Sequence, residues 1–495
     1  MRFDRQSGVF CHVTSLPGRH GIGDLGAGAT AFLDFLDAAD QSLWQVCPLG
    51  PTTAGAYHSP YQTLSGFAGD PLLVALDPLG ERGYLGDDEL EPPAGVATDE
   101  TRYDAVSEFK RDRLRTAFER FRESPADGDR EAFDRFRERE AAWLDDYALF
   151  VACKRAFDGA PWTEWPEPIR AHDEEAVERR REEFADDVAY HAFCQWLFDR
   201  QWRRVADAAH ERGIEIVGDL PIYVAFDSAD VWASPEAFQI EDGEPTAVAG
   251  VPPNPGDDGQ RWGNPLYDWD ELAARDYDWW LGRLRRLFEL VDVTRIDHFK
   301  GFDEYWAIPG DSDDPADGEW RDAPGVDFFE TVEAELGELP FLAEDLGFLD
   351  ESVVALRDRF GFPGMRVPVY ADWCAEGDRY QPMHYPEDSV GYTSTHDTDT
   401  FVGYYEDLPA EQRDCLHYNL GTDGEEIHWD LIEAVWNSNA AVAIAPLQDL
   451  LGLGSEARFN TPGTVEGNWQ WRVTEEQLTD GVAERLARIT DATLR

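Results

Sequence analysis

The sequence predicts an α/β protein built on one (β/α)8 TIM barrel, with large, mostly helical insertions after barrel strands. Eight short runs of residues are almost continuously apolar, as parallel strands buried on both faces usually are. Between several of these runs the apolar residues recur at helical spacing, and such alternation is typical of β/α units. The length of 495 residues fits one large barrel, although it also fits about three smaller domains.

The eight candidate strands are short, and most of their residues are uncharged. In chain order they are Gly8–Val13, Trp44–Leu49, Ile214–Leu220, Val291–His298, Phe341–Asp345, Met365–Tyr370, Gly391–His396 and Ala441–Gln448. Between them, the segments Phe198–Ala209 and Trp280–Val291 each place one apolar stripe on a helix. Eight strands separated by helices favour closure into a barrel.

Two segments depart from this alternation. Residues 80–190, between the second and third strands, are rich in Glu, Asp and Arg at helical spacing, which predicts a helical insertion subdomain. Residues 227–270 follow the third strand directly and are rich in Pro, Gly and Trp. Long irregular loops after barrel strands usually line a functional site. We therefore predict a single barrel domain over residues 1–495 that carries a helical insertion and a substrate-site loop subdomain.

The charge of the chain excludes several classes of partner. With 43 basic and 101 acidic side chains, the formal charge is 43 − 101 = −58. A surface this negative repels nucleic acids and anionic lipids, so neither is an expected partner. Disorder is excluded as well, because 42% hydrophobic and 13% aromatic residues supply enough apolar surface to fold. The acidic residues are spread along the whole chain, which indicates adaptation to concentrated salt.

The cysteines and the apolar stretches predict a cytoplasmic protein. The six cysteines are far apart in sequence and form no C-x-x-C pair, so we expect all of them to be reduced core residues. The first six residues contain no apolar targeting segment, and the longest apolar stretch, Ala440–Leu447, is much shorter than the roughly 20 residues of a membrane span. No membrane contact is expected, and the protein is predicted to be a monomer or a small homo-oligomer.

Two formal motif matches lead to no site. The glycines of Gly21–Gly26 satisfy G-x-G-x-x-G, but several residues separate them from the first strand and no acidic residue ends the second strand. A structural loop is the better interpretation. Asp311–Gly318 is acidic but lacks the alternating ligands and the final Glu of a calcium loop. We expect neither a metal nor an organic cofactor.

Single carboxylates stand at the ends of four predicted strands. Asp219, Asp297 and Glu344 end the third, fourth and fifth strands, and Asp397 directly follows the seventh. An isolated strand-end aspartate is often only a loop cap, but four in series are harder to explain in that way. The carboxyl ends of barrel strands are where barrel enzymes build their active sites. We therefore expect these four side chains to meet at one mouth of the barrel.

Several carboxylates without a metal motif favour chemistry on glycosidic bonds. An ionised carboxylate can attack an anomeric carbon while a protonated one donates to the leaving oxygen. Arg295 lies two residues before Asp297, so both side chains point to the same face of the strand, and a neighbouring guanidinium favours the carboxylate form that a nucleophile requires. Sugars could stack on nearby aromatic rings, although each ring could equally belong to the core; these rings are Tyr57, Tyr61, Trp262 and Tyr267.

Longer stretches resemble the 4-α-glucanotransferases of glycoside hydrolase family 77, also called amylomaltases or disproportionating enzymes. The resemblance covers nearly the full chain, with the motifs in the family's order. The matching stretches are His12–Gly18, Trp44–Pro51, Ser59–Gln62, Gly218–Val224, Gly259–Tyr267, Arg295–Phe299, Ala343–Gly347 and Thr395–Asp397.

The resemblance implies a role for each site residue. Asp297 matches the nucleophile, Glu344 the acid/base and Asp397 a third carboxylate that stabilises the transition state. The implied reaction is retaining: Asp297 forms a covalent glucosyl intermediate, and the 4-hydroxyl of an acceptor glucan then displaces it. Because Glu344 must be protonated when it first acts, we expect a raised pKa. The residues predicted to bind substrate are Ser59, Tyr61, Asp219, Asn254, Trp262, Arg295, His298 and His396.

The chain departs from the family after Val251. The family's loop carries an acidic residue followed by aromatics, whereas this chain has Asn254–Asp258 and is slightly shorter. The change bears on acceptor preference and on the ratio of transfer to hydrolysis, because such a lid excludes water. An amylase-like hydrolase and a catalytically silent glucan-binding protein are the alternatives to a transferase that acts on maltooligosaccharides, starch or glycogen.

Overall fold

The computed structural model describes residues 3–96, 100–254, 258–347 and 349–495. A closed barrel of eight parallel strands forms its centre. Each barrel strand pairs with the barrel strand before it in the chain, and the last strand pairs with the first. The predicted (β/α)8 fold class is therefore confirmed.

The strands of the described residues are numbered in chain order. They are β1 (Gln6–Phe10), β2 (Leu43–Gln45), β3 (Glu215–Leu220), β4 (Ile240–Glu241), β5 (Glu244–Pro245), β6 (Ala247–Val251), β7 (Gln260–Pro265), β8 (Val293–Ile296), β9 (Glu304–Pro309), β10 (Glu319–Asp322), β11 (Phe341–Ala343), β12 (Gly364–Arg366), β13 (Ser389–Tyr392) and β14 (Val442–Pro446). The barrel consists of β1, β2, β3, β8, β11, β12, β13 and β14.

The helices of the described residues surround the barrel and extend into the insertions. They are α1 (Ala27–Ala38), α2 (Asp77–Glu81), α3 (Asp87–Leu90), α4 (Tyr103–Glu123), α5 (Asp129–Ala156), α6 (Glu167–Arg170), α7 (Glu174–Glu183), α8 (Ala185–His210), α9 (Ala229–Ala233), α10 (Trp269–Ala274), α11 (Asp278–Phe288), α12 (Gly325–Leu336), α13 (Glu351–Phe360), α14 (Phe401–Asp407), α15 (Ala410–Leu420), α16 (Ile427–Asn437), α17 (Leu447–Leu450) and α18 (Asp480–Thr493). None of the helices described has the length and apolar composition that crossing a membrane requires.

Each of the eight predicted runs overlaps one barrel strand, and every barrel strand except β3 ends before its predicted run does. β12 ends at Arg366, and Pro368 begins a short 3-10 turn inside the run that was predicted as strand. β14 ends at Pro446, after which α17 begins. Proline has no backbone N–H for the ladder, so pairing ends where these residues occur. The early ends free the following residues to turn into the mouth of the barrel.

The segment 80–190 contains helices α3 to α7 and the start of α8. The long helices α5 and α8 pack against each other, and α8 continues to His210, where it leads into β3. Helix α8 thus begins within the predicted insertion and is also one of the helices of the barrel. The division of the chain into a barrel and two insertions stays a prediction.

A four-stranded antiparallel sheet, in the order β10-β9-β6-β7, lies outside the barrel. Two of its strands, β6 and β7, come from the predicted loop segment 227–270, and the other two follow β8. This sheet holds Trp262 on β7, at the edge of the functional cavity described below.

The glycine-rich segment Gly21–Gly26 is a loop packed against the end of β1. The chain comes so close there that a Cβ on Gly23 would lie 2.0 Å from the carbonyl oxygen of Val13. Only glycine fits such an approach. The motif therefore has a packing reason that involves no nucleotide.

The expectation that all six cysteines are reduced is wrong for one pair. Cys374, exposed in the loop after β12, forms a disulfide with Cys415 of α15, and their Cα atoms are 5.3 Å apart. The two residues are 41 positions apart in sequence, so spacing alone gave no sign of the pair. The other four cysteines are buried and free, as expected.

Candidate active site

The predicted site residues gather around a cavity of about 510 Å³ at the carboxyl ends of the barrel strands. Eight of the eleven predicted residues line it: Ser59, Tyr61, Trp262, Arg295, Asp297, His298, Glu344 and Asp397. Asp219 and His396 lie directly behind this lining and bond to it through Tyr61. Asn254 is exposed and is not part of the lining.

Arg295 joins two of the carboxylates. On neighbouring strands, Asp219 of β3 is in register with Arg295 of β8, which brings their side chains to the same side of the barrel. Nη1 of Arg295 donates to both oxygens of Asp219, and Nη2 donates to Oδ1 of Asp297 at 2.8 Å. Burial raises the pKa of Asp219, and the positive charge of Arg295 opposes that shift.

Glu344 directly follows β11 and is held by the backbone. Its Oε2 accepts a hydrogen bond from the N–H of His298 at 2.8 Å, and its Oε1 accepts one from the N–H of Leu346 at 2.9 Å. Burial raises the pKa of Glu344 to about 7 against the opposing charge of Arg295, and the negative charge of Asp297 raises it further. The carboxyl can therefore both donate and accept a proton near neutral pH.

Asp397 follows β13, and its surroundings favour the ionised carboxylate, in contrast to those of Glu344. Nε2 of His396 lies 3.2 Å from its Oδ2, and the amide of Asn460 donates to its Oδ1 at 2.6 Å. Burial alone would raise the pKa of Asp397, but His396, the Asn460 amide and Arg295 lower it to about 2. Asp397 is therefore ionised under ordinary conditions.

Tyr61 connects Asp219 with His396. Its hydroxyl donates to Oδ2 of Asp219 at 2.7 Å and lies 2.8 Å from Nε2 of His396. With its one proton given to Asp219, the hydroxyl accepts from a protonated Nε2. The rings of Tyr61 and His396 are stacked, with centroids 5.4 Å apart. Although burial disfavours the charged form, Asp397 raises the pKa of His396 above its ordinary value.

His298 and Trp262 form the opposite wall. The Trp262 ring meets the His298 ring edge to face, with centroids 4.9 Å apart, and the Trp262 indole N–H donates to Gln260. Burial lowers the pKa of His298 to about 4, so its imidazole is neutral near pH 7. A neutral imidazole can offer a sugar hydroxyl both a donor and an acceptor.

The four aromatic candidates separate into two groups. Tyr57, Tyr61 and Trp262 line the cavity, and Tyr57 is 54% exposed there. Tyr267 is fully buried, and its hydroxyl donates to the carbonyl of Ile222, so it is a core residue. Core packing was the alternative explanation for each ring, and it holds for Tyr267.

One wall of the cavity consists of residues that were not predicted from the sequence. Asn460, Asn468, Trp469 and the residues 461–464 line it from the loop that follows α17. Tyr370, half exposed after β12, lines it as well. The available signal was a long loop rich in Asn, Thr, Pro and Gly after the last barrel strand, where a barrel builds its site.

The arrangement suits transfer between glycosidic bonds. One carboxyl titrates near neutrality, beside a second that is paired with arginine and a third that stays ionised. A carboxyl pair with separate protonation states is the basis of acid/base and nucleophilic catalysis at an anomeric carbon. The aromatic rings at the rim provide faces on which sugars can stack.

Comparisons with known proteins agree with this chemistry. A family model described as 4-alpha-glucanotransferase, of glycoside hydrolase family 77, matches residues 11–479. The 4-alpha-glucanotransferase of Thermus thermophilus is 45% identical over the full length of both chains. That of Synechocystis sp. is 44% identical, over 98% of this chain and 97% of its own. Among solved structures, an amylomaltase from Streptococcus agalactiae in complex with acarbose matches with a TM-score of 0.95 at 36% identity, covering 99% of each chain.

Proposed function

The chain belongs to the 4-α-glucanotransferase family, glycoside hydrolase family 77, and from that premise we propose that Asp297, Glu344 and Asp397 carry out its reaction. The enzyme moves α-1,4-glucan segments from a donor to the 4-hydroxyl of an acceptor glucan or glucose. The observation that carries the proposal is the contrast between Glu344, with a pKa of about 7, and Asp297, held by Arg295 in the same cavity.

In the first step Asp297 attacks the anomeric carbon of the donor sugar. Arg295 occupies Oδ1 of Asp297, and Oδ2 receives no hydrogen bond within the described part of the chain, so Oδ2 is the attacking atom. As the bond from the anomeric carbon to the glycosidic oxygen breaks, Glu344 gives its proton to that oxygen. The leaving oligosaccharide thereby gains a free 4-hydroxyl, and the donor segment stays on Asp297 as a glucosyl ester.

In the second step Glu344, now ionised, removes the proton from the 4-hydroxyl of the acceptor. The acceptor oxygen attacks the anomeric carbon, and the bond to Asp297 breaks. Two inversions at the same carbon restore the α configuration. The ionised Asp397 stabilises the positive charge that develops on the sugar in both steps.

The remaining polar residues are proposed to bind and orient the substrate. His298 and Trp262 form one wall for the donor sugar, while Tyr61, His396 and Asp219 hold the carboxylates from the other side. Ser59 lines the cavity beside Tyr61. Asn254 is proposed to contact the acceptor, although it lies exposed outside the lining.

Incubation with maltotriose tests the activity on this chain. We expect glucose together with oligosaccharides longer than maltotriose, seen by chromatography at early times. Release of glucose and maltose without chain lengthening would instead identify a hydrolase that uses the same carboxylates. Binding of maltotriose without any product would identify a silent glucan-binding protein. We also propose a cytoplasmic enzyme that is a monomer or a small homo-oligomer.

Azide rescue separates the proposed roles of the carboxylates. In Asp297→Ala, azide enters the vacated place and attacks the donor once, so a β-glycosyl azide is expected. In Glu344→Ala, an activated donor first forms the ester on Asp297, so azide gives the α product. Asp313→Asn changes an exposed aspartate outside the cavity and serves as the control with full activity. Identical products from both variants would contradict the assignment.

A further inference from the structure

The carboxylate of Asp397 is held from two separate parts of the fold. Oδ2 faces Nε2 of the neighbouring His396 at 3.2 Å. Oδ1 accepts a hydrogen bond of 2.6 Å from the amide Nδ2 of Asn460, which lies 63 residues later in the chain. Asn460 is 9% exposed and lies in the loop between α17 and α18. Neither the strand-end carboxylates nor the residues proposed above to bind substrate include it.

The backbone of Asn460 is fixed on both sides. Its N–H donates to the carbonyl of His396 at 3.0 Å. Its carbonyl accepts from Nε of Arg458 at 2.8 Å, and Nη2 of the same Arg458 donates to the carbonyl of Asp397, also at 2.8 Å. The main chain at His396 and Asp397 is thus bonded to the loop of Asn460 in two places, once by the N–H of Asn460 and once by the side chain of Arg458.

The loop that carries Asn460 is also closed on itself. The N–H of Trp469 donates to the carbonyl of Phe459 at 2.8 Å, and the N–H of Thr461 donates to the side-chain oxygen of Asn468 at 2.9 Å. The ring of Trp469 packs against His396 and Tyr61, with centroids 6.2 and 6.0 Å away. The amide of Asn460 is therefore aimed at Asp397 by a rigid support, which keeps catalytic groups in place at low entropic cost.

We propose that Asn460 is a positioning residue for Asp397. Its amide holds Oδ1 while His396 holds Oδ2, so the plane of the carboxylate is fixed relative to the sugar that reacts. The positive charge on the sugar develops only in the transition state. A loosely held carboxylate would therefore lower the reaction rate more than it lowers the affinity for substrate. The inference rests on the proposed function, which gives Asp397 its role.

Asn460→Ala removes the side-chain amide and leaves the backbone hydrogen bonds of the loop in place. We expect kcat for maltotriose disproportionation to fall by about 10- to 100-fold, with KM changed less than about threefold. A residue that only stabilised the fold would instead lower the melting temperature with little effect on kcat of the folded enzyme. Asn437→Ala, which changes an exposed asparagine at the end of α16, is the matched control and should leave both values unchanged.

Asn460→Asp keeps the shape of the side chain and gives a pH signature. The ionised variant carboxyl repels Asp397, whereas its neutral form can donate the hydrogen bond that the amide made. The charged groups that bond to Asn460 are Asp397 and Arg458, and the groups that interact electrostatically with Asp397 are His396, Arg295, Tyr370 and Cys47. We expect the ratio of variant to native kcat to rise at least about fivefold from pH 7 to pH 5, while the ratio for Asn460→Ala stays flat.

Asp397→Asn separates failure of this inference from failure of the proposed function. If Asp397→Asn retains native kcat, the proposed role of Asp397 is wrong, and the inference falls with it. If Asp397→Asn is inactive while Asn460→Ala keeps kcat within twofold of native, only the inference is overturned. Should Asn460→Ala fail to fold, a pH-independent loss in Asn460→Asp overturns the inference and a rising ratio supports it.

Discussion

Arg295 donates from one guanidinium nitrogen, Nη1, to both carboxylate oxygens of Asp219, at 2.8 and 2.7 Å. Both side chains are almost fully buried, with 5% and 1% of their surfaces exposed. The same guanidinium reaches Asp297 through Nη2. One cation thus compensates two carboxylates, and the buried pair with Asp219 orients the arginine toward the proposed nucleophile.

Removal of this cation should cost both stability and activity. In Arg295→Met the side-chain volume is nearly kept, but Asp219 is left buried without a counter-charge, which typically costs about 3–5 kcal/mol. We expect a large drop in the melting temperature and loss of disproportionation. Arg212→Met breaks a pair with the exposed Asp34 and is the control, with an expected cost below about 1 kcal/mol. Equal effects of the two substitutions would contradict the argument.

The rate should fall on the alkaline side because Glu344 must be protonated in the first step. Burial raises the pKa of Glu344 to about 7, so the carboxyl is protonated below that pH and ionised above it. We expect kcat/KM for maltotriose to be maximal below pH 6 and to fall about tenfold per pH unit above pH 8.

An α-maltosyl fluoride donor tests this assignment, because fluoride leaves without needing a proton. With this donor and the native enzyme, the rate of the first step should no longer fall at alkaline pH. An unchanged alkaline limb would show that a group other than Glu344 titrates.

The residues that could be predicted from sequence are those whose signals are local. Strand β14 is buried at all five positions and reads as an apolar run, and Asp297 stands out because it directly follows the buried strand β8. The offset of two residues between Arg295 and Asp297 places both side chains on one face without knowledge of the fold. Arg295 and the carboxylates of the cavity could be predicted for this reason, whereas Ser59 and His298 came only from the family resemblance.

The features that were missed depend on contacts distant in sequence. The bond between Asn460 and Asp397 spans 63 residues, and the disulfide of Cys374 with Cys415 spans 41. Strand β10 is exposed at all four positions, so it shows none of the apolar alternation by which strands are found. Register and closure of the barrel decide these contacts, and no single segment encodes them.

The disulfide can be checked by counting thiols. In protein purified without reductant and then denatured, we expect four of the six cysteines to react with a thiol reagent, and all six after reduction. Six reactive thiols before reduction would exclude the bond.

Cys374→Ser should destabilise the enzyme by up to about 4 kcal/mol, because a closed loop of this length restricts the unfolded chain. The double replacement of Cys374 and Cys415 by serine should cost no more than the single one. A larger cost would point to packing of the side chains instead of the bond.

The charge of −58 predicts a dependence of stability on salt. At about 1 M salt the screening length falls to about 3 Å, so repulsion between exposed carboxylates is largely removed. We expect the melting temperature and the activity to rise between about 0.05 M and about 2 M NaCl. An osmotically matched sucrose solution is the control, since it does not screen charge.

A triple variant locates the effect on one surface. Glu131, Asp134 and Glu138 are exposed and lie three or four residues apart on α5, so their charges repel one another. Replacement of the three by Gln, Asn and Gln should raise the melting temperature in dilute buffer and change it little at about 2 M NaCl. A native melting temperature that is the same in both buffers would show that the acidity is not a salt adaptation.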